Sequence, residues 1–406
     1  APSQRARQQA LKAEIAELEA RLPGSPELQT RLQEKRQELN AIQPISLPVL
    51  KELPPDRQRP THLLTLGNFL LKGERVEAGT PEYFPSLPGT SRPNRLDLAR
   101  WLFLPQNPLT ARVAVNRFWA QLFGRGLVET EEDFGMQGTP PTHPELLDWL
   151  AVYFRETGWD IKRLLRLIVT SSTYRQSSQV TPIHLKKDPR NLWLARYPRR
   201  RLDAETIRDQ ALAISGLLSR KIGGPSVYPP QPEGLWRAAF NGERTWPTST
   251  GEDRYRRGIY TFWRRTVPHP AMTTFDAPSR EICTFRRQPT NTPLQALVTL
   301  NDPAFIEIAQ ALARRIVREG GTTPEQRIRY ALKLATARLP APEQVATLLR
   351  LYTQERQHYA GRPQEALKLA TDPLGPLPDT EKPEEMAAWT VVANVLLNMD
   401  AVLTHH

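Results

Sequence analysis

The densest mixture of chemically useful side chains lies in residues 273–303, TTFDAPSREICTFRRQPTNTPLQALVTLNDP. It holds the chain's one cysteine, Cys283, among Arg280, Arg286 and Arg287, with Arg264 and Arg265 just ahead. It also holds the acids Asp276 and Glu281 and a Thr290-Asn291-Thr292-Pro293 turn that opens a helix. Guanidinium groups present planar, paired donors, which suits a sulfate, carboxylate or uronate oxyanion. Arg280, Arg286 and Arg287, with Asp276, Thr290 and Asn291 at the edge, are therefore candidate ligand-binding residues. The competing role is an internal ion-pair network in which the arginines meet Asp276 and Glu281 and pin a long loop. Cys283 admits a second chemistry. Nearby arginines favour its thiolate, and His269, in VPHPAM, is the nearest histidine in sequence to serve as its base. Ile282 and Phe285 beside it equally suit a small buried residue.

Elsewhere the signals are weaker. Glu131, Glu132 and Asp133 with His143 match no standard metal spacing, so no metal site is assigned. There is no phosphate-cradling glycine loop, no Gly-x-Ser-x-Gly elbow and no His-Glu-x-x-His. Paired carboxylates for glycoside hydrolysis remain open, because their spacing is spatial rather than sequential. One cysteine permits no intramolecular disulfide, and without Cys-x-x-Cys-His no c-type haem attaches within this chain. The net charge of +12 favours anionic partners such as acidic polysaccharide or an acidic protein. Nucleic acid is set aside, since no recognised binding module accompanies the charge. No apolar run is long enough for a transmembrane helix. The chain begins at Ala1 without a basic and then apolar leader, so any signal peptide is expected to have been removed.

The elements that must position these residues read as mainly α: a multi-helix domain with a small β-sheet and long Pro-rich loops, preceded by a helical hairpin. In residues 1–43 the stripes Leu11, Ile15, Leu18, Leu22 and Leu28, Leu32, Leu39, Ile42 predict two helices packed as a short antiparallel coiled coil, broken at Pro23-Gly24-Ser25-Pro26. Residues 44–93 carry frequent prolines and read as an extended segment, with strands at 62–71 and 75–77. Residues 94–303 form the main helical domain. Helices are expected at 95–104, 108–123, 144–156 (Thr142 as cap, Glu145 completing a capping box), from Asp160 to Thr170, and at 191–195 and 203–218. The alternation of Tyr260 and Phe262 against Ile259, Thr261 and Trp263 predicts a strand. Residues 304–406 read as a helical bundle continuous with that domain. Its helices run at 303–319, with Asp302 as cap, and at 324–338, 342–359 and 384–397.

Three blocks carry a resemblance. NPLTARVAVNRFWAQLFGRGLVETEEDFGMQGTPPTHPELLDWLAVYFRETGWDIKRLLRLIVTSSTYRQSS at 107–178, DAPSREICTFRRQPTNTPLQALVTLNDP at 276–303 and LATARLPAPEQV at 334–345 resemble planctomycete domain-of-unknown-function family 1553. The resemblance runs from about residue 55 to residue 400. It implies the C-terminal domain of an exported, periplasmic or cell-surface cytochrome c-type multidomain protein, with haem c on an upstream domain or partner chain. No catalytic residue comes with it. The expected function is an accessory module contacting a cytochrome c-type domain or an anionic glycan. The alternative is an extracytoplasmic hydrolase or redox enzyme acting on acidic polysaccharide.

Overall fold

The computed structural model describes residues 2–20, 26–42, 48–87, 93–239 and 241–405. The protein is mainly helical, and the chain divides into two compact units, Ala1–Asn107 and Pro108–His406.

In the first unit, α1 (Pro2–Ala20) and α2 (Pro26–Ala41) pack as the expected helical pair. Leu11 and Leu32 are buried. Arg7 pairs with Glu38, and Lys35 reaches Glu14 at 2.9 Å, so the helices run antiparallel. The Pro23-Gly24-Ser25 part of the expected break lies outside the described residues. So do Pro44 and Pro88 of the Pro-rich segment. The strand expected over 62–71 is shorter. β1 (Thr61–Leu64) pairs antiparallel with β2 (Lys72–Val76), Thr61 opposite Val76. The chain turns between them at Leu66 and Gly67, both at positive φ (53° and 72°). The Nδ1 of His62 lies 3.0 Å from the Gly73 carbonyl, a structural role. α3 (Arg95–Leu102) starts at Asn94, whose side chain accepts from the Leu96 and Asp97 amides while Asp97 bonds back in a capping box.

The second unit has two cores. One gathers α4 (Thr110–Phe123), α5 (Pro144–Glu156) and α6 (Ile161–Thr170) around Val115, Trp119, Phe123, Leu150, Phe154 and Ile168. Asp160 caps α6 as expected, accepting from the Arg163 amide at 3.0 Å. Thr142 does not cap α5. Its amide and hydroxyl both turn to the Leu127 carbonyl, and His143 takes the cap position without a side-chain bond to the helix amides. Past a short α7 (Pro182–Lys187), the helix expected at 191–195 is absent, because Asn191 and Leu194 adopt positive φ (52° and 54°). β3 (Arg200–Arg201) leads instead into α8 (Ala204–Ser215).

The strand expected at 259–263 is also absent. Residues Gly258–Tyr260 form a 3-10 turn, and Thr261 makes an isolated bridge to Val227. The Gly258 amide donates to Asp209 at 2.6 Å, and a Cβ on Gly258 would meet the Glu205 backbone at 2.8 Å. Close docking on α8 thus shapes this segment. The alternating aromatics serve a loop cluster in which Phe262 stacks on Tyr228, 4.9 Å between centroids.

After the short helices α9 (Leu235–Ala239) and α10 (Pro270–Thr274), the second core assembles from α11 (Pro293–Asn301), α12 (Pro303–Glu319), α13 (Pro324–Thr336), α14 (Pro342–Ala360), α15 (Pro363–Thr371) and α16 (Pro383–Leu397). Each of these six helices opens on proline, whose missing N–H costs nothing in the first turn. α16 is apolar all round, as a central helix must be, and buries Met386, Trp389, Val392, Ala393 and Leu396. Trp389 is fully buried and stacks on Tyr352, 4.3 Å between centroids. α17 (Asp400–Leu403) then feeds β4 (Thr404–His405), which pairs antiparallel with β3, Arg200 opposite His405. This two-stranded clip holds Arg200 and Arg201 between the two helical cores.

Candidate functional site

Two cavities of about 440 and 360 Å³ share Gly124, Arg200, Arg201 and Pro289 and together form a cleft in the second unit. Three segments build it: the end of α4 with the turn after it, the chain from Arg190 into β3, and the stretch from Phe275 to Asn291.

The first wall depends on Asn116, which is fully buried on α4. Its amide donates to the Val128 carbonyl at 3.0 Å and its oxygen accepts the Val128 amide at 2.9 Å. That clamp sets the course of the segment carrying Glu129 and Glu131. Two glycines permit it. Gly124 ends α4 at φ 74°, and at Gly126 a Cβ would sit 2.5 Å from Asn116. In the second wall, Asp188 accepts the Leu192 and Trp193 amides at 2.8 Å, while buried Arg196 donates to the Asp188 and Pro189 carbonyls. These bonds hold Asn191 and Leu194 at positive φ on the cavity lining, a strained geometry of the kind that gathers at functional sites.

The third wall is the stretch singled out from sequence. Asp276, at φ 62°, accepts from the Thr290 amide at 2.7 Å and hydroxyl at 2.9 Å, and from Gln295 at 3.4 Å. Arg287 makes two bonds to Glu205, at 2.6 and 3.0 Å. Burial opposes ionisation of Glu205, but the Arg287 pair, with the residue's own backbone amide and the charge of Arg280, holds the carboxyl below its ordinary range. Arg286 is exposed and donates to the Glu129 carbonyl at 3.3 Å. Arg280 stands over the Trp263 ring, 4.9 Å from its centroid, and lines neither cavity. Asp276, Arg286 and Arg287 thus share one cavity, and Thr290 and Asn291 line its neighbour. The ion-pair network expected with Asp276 and Glu281 is not what forms. Thr290 occupies Asp276, and Arg287 turns to α8 for its carboxylate.

Cys283 is exposed, as are Ile282 and Phe285, so the burial expected from its apolar neighbours does not occur. Phe285 instead takes Arg117 over its ring at 5.5 Å. His269 is buried, its Nε2 3.1 Å from the Pro230 carbonyl and its Nδ1 without a hydrogen-bond partner. Burial, reinforced by the charge of Arg208, pushes its pKa down to about 4. The structure therefore forms no hydrogen bond between His269 and Cys283. Among the described residues no group of three His, Cys, Asp or Glu is placed to hold a metal ion.

The residues that sequence reasoning missed are Arg199, Arg200 and Arg201, although three consecutive arginines after Tyr197-Pro198 are a visible signal. Arg199 pairs with Asp400. Arg200 and Arg201 make no ion pair among the described residues, and the Nε of each is buried without a hydrogen-bond partner. Burial holds Arg201 below the ordinary guanidinium range, against the charges of Asp400 and Asp276. Arg190 is tied to Glu129 at 2.7 Å. The cleft also contains Glu131, buried and pushed above the ordinary carboxyl range by desolvation despite the nearby charges of Arg286 and Arg117.

Chemically, this is a concave, arginine-rich surface on a helical scaffold, suited to holding an oxyanion. The chain belongs to the family described as PSD1, Protein of unknown function (DUF1553), whose model matches residues 94–352. All three walls of the cleft lie within the matched residues, whereas α15 to α17 and β4 follow them. No curated protein and no solved structure matches the chain.

Proposed function

We propose that the second unit is a non-catalytic anion-binding module and that its ligand is an acidic glycan carrying sulfate or carboxylate groups. One observation carries this reading. Arg200, Arg201 and Arg286 line a concave cleft without an ion-pair partner among the described residues. Guanidinium groups left in that state are donors for an external oxyanion. The net charge of +12 supports attraction of a polyanion from solution. The resemblance to exported planctomycete proteins adds the setting: a periplasmic or cell-surface assembly, with this module beside a cytochrome c-type domain or chain that bears the haem.

Calorimetric titration with sulfated and uronic oligosaccharides tests the reading. Arg286→Ala is expected to weaken binding about tenfold or more, the loss of one charge-assisted hydrogen bond of roughly 1.5–3 kcal/mol, and Arg201→Ala similarly. Arg286 is exposed, so its removal should leave the melting temperature nearly unchanged. Failure of every acidic oligosaccharide to bind the unmodified protein would end the proposal.

A second reading, a hydrolase acting on acidic polysaccharide, has Glu131 in its favour. A carboxyl held toward its neutral form in the same cleft as Asp203 and Asp276 is the setting a general acid needs. New reducing ends released from such a glycan, and lost in Glu131→Gln, would replace the binding module with an enzyme.

A further inference from the structure

Glu131 sits in the cleft in a way that its arginine neighbours do not resolve. It lines the 360 Å³ cavity and is 8% exposed. Arg286 and Arg117 act on it through charge alone, without a hydrogen bond. We propose that Glu131 couples anion binding to proton uptake, so that the cleft holds its anion more tightly as the pH falls. This rests on the anion-binding reading above and adds its regulation.

Charged groups from several elements act on the carboxyl or share its cavity. Arg117 comes from α4, Asp276, Arg286 and Arg287 from the central stretch, Arg200, Arg201 and Asp203 from β3 and its exit, and Glu132 from the neighbouring position. Four of them are already committed. Arg287 is locked to Glu205, with Asp203 3.9 Å away, and Asp276 is locked to Thr290. Arg117 lies over the Phe285 ring. Arg200, Arg201 and Arg286 have no ion pair among the described residues, and of these three Arg286 is the exposed one whose charge acts on Glu131, held by one 3.3 Å bond. An anion that settles on Arg286 removes the positive charge that favours the Glu131 carboxylate. It also adds a negative charge to the cavity that the buried Glu131 lines. Both changes favour the neutral acid. Desolvation has already moved this carboxyl above its ordinary range, the same direction in which a bound anion acts.

The sign follows from linkage. The bound state holds the proton more tightly than the free state. Affinity is therefore constant and high below the free-state pKa, falls between the free and bound values, and is constant and lower above both. Sucrose octasulfate is a suitable probe, because its sulfate esters do not titrate in the working range.

Calorimetry of the full chain in two buffers of different ionisation enthalpy counts the protons directly. The expected result is net proton uptake on binding and tighter binding at pH 5 than at pH 8, by up to about tenfold for each pKa unit of coupling. Glu131→Gln should bind with the low-pH affinity at both values, with the uptake gone. Exposed Glu132→Gln should keep the wild-type slope. Binding of equal strength at both pH values without proton uptake overturns the coupling while the anion site stands. A wild-type slope surviving in Glu131→Gln assigns the proton elsewhere and overturns it too. Absence of binding at either pH removes the underlying reading as well. Should Glu131→Gln fail to fold, the wild-type proton count alone still decides whether coupling exists.

Discussion

The Arg254→Ala variant is expected to lose about 3–5 kcal/mol of stability, the cost of leaving a buried carboxylate without its partner. That carboxylate is Glu307 on α12, whose side chain is 4% exposed. Arg254 Nε donates to both its oxygens, at 2.8 and 3.0 Å, and the Tyr255 hydroxyl donates to one of them at 2.8 Å. Burial, with Glu307 as acceptor, pushes the Tyr255 pKa up to about 12. Arg208 on α8 completes the group, donating to the Arg254 carbonyl at 2.9 Å, and its own burial drops its pKa to about 10. The network joins α8, α12 and the 3-10 turn Gly251–Tyr255, so the missing guanidinium is felt by three elements. Urea denaturation measures the loss. Adding Glu307→Gln should recover a large part of it, because a neutral amide can still accept from Tyr255 and carries no unpaired charge. A loss below about 1 kcal/mol in the single variant would mean that water reaches Glu307 and that the pair is energetically a surface one.

The helices were legible where one local signal set each boundary. Pro303 in the first turn with Asp302 before it, and Asp160 ahead of α6, state their own starts. Thr142 misled because its hydroxyl had a competing acceptor, the Leu127 carbonyl, brought near only by the tertiary fold. The aromatics of 259–263 misled for a related reason. Period-two alternation marks a pleated strand only when a neighbouring strand accepts its backbone. Here, among the described residues, the segment's backbone meets a neighbour only at Val227, the Gly258 amide goes to an α8 side chain, and the rings pack into a loop cluster. α15 was missed although Gly361 closes α14 and Pro363 opens the next helix, because its nine residues carry only a short apolar stripe.

The candidate site was half legible. Asp276, Arg286, Arg287, Thr290 and Asn291 stood out through the density of polar types in one stretch, and all five line the cleft. Arg200 and Arg201 lie in a different part of the chain, and what places them is the pairing of β3 with β4 at the far C-terminus. A two-residue strand pair at that separation leaves no pattern in either segment. Burial was one of two readings for Cys283 because Ile282 and Phe285 suggested a core. On the rim of a cleft the same apolar residues remain exposed, Ile282 at 76%, and Phe285 serves as a platform for Arg117.

Asp302→Asn is expected to stabilise the protein by about 3 kcal/mol at pH 8 and by almost nothing near pH 3.5. Asp302 caps α12, accepting the Ala304 amide at 2.9 Å, and is 6% exposed. Burial raises its pKa to about 6, against the cap bond and the charge of Arg208, which both favour ionisation. The folded value thus stands above the unfolded one, about 3.9, so the native state binds this proton more tightly. The stability this contributes is fully present below the unfolded pKa and is lost as pH rises through about 6. Above that, folding must carry an ionised, desolvated carboxylate, and a two-unit shift corresponds to about 3 kcal/mol. Asparagine keeps an oxygen for the Ala304 amide and removes the charge. Its loss of attraction to Arg208 is already contained in the pKa of about 6, which measures the ionised against the neutral side chain with Arg208 present. Other buried acids, Asp209 among them, are common to both proteins and cancel in the difference. Denaturation midpoints from pH 3.5 to 8 should therefore diverge with rising pH, the variant standing higher. A variant that is weaker at pH 8, or shifted equally at every pH, would show that the carboxylate's bond to the helix end and its attraction to Arg208 outweigh its desolvation.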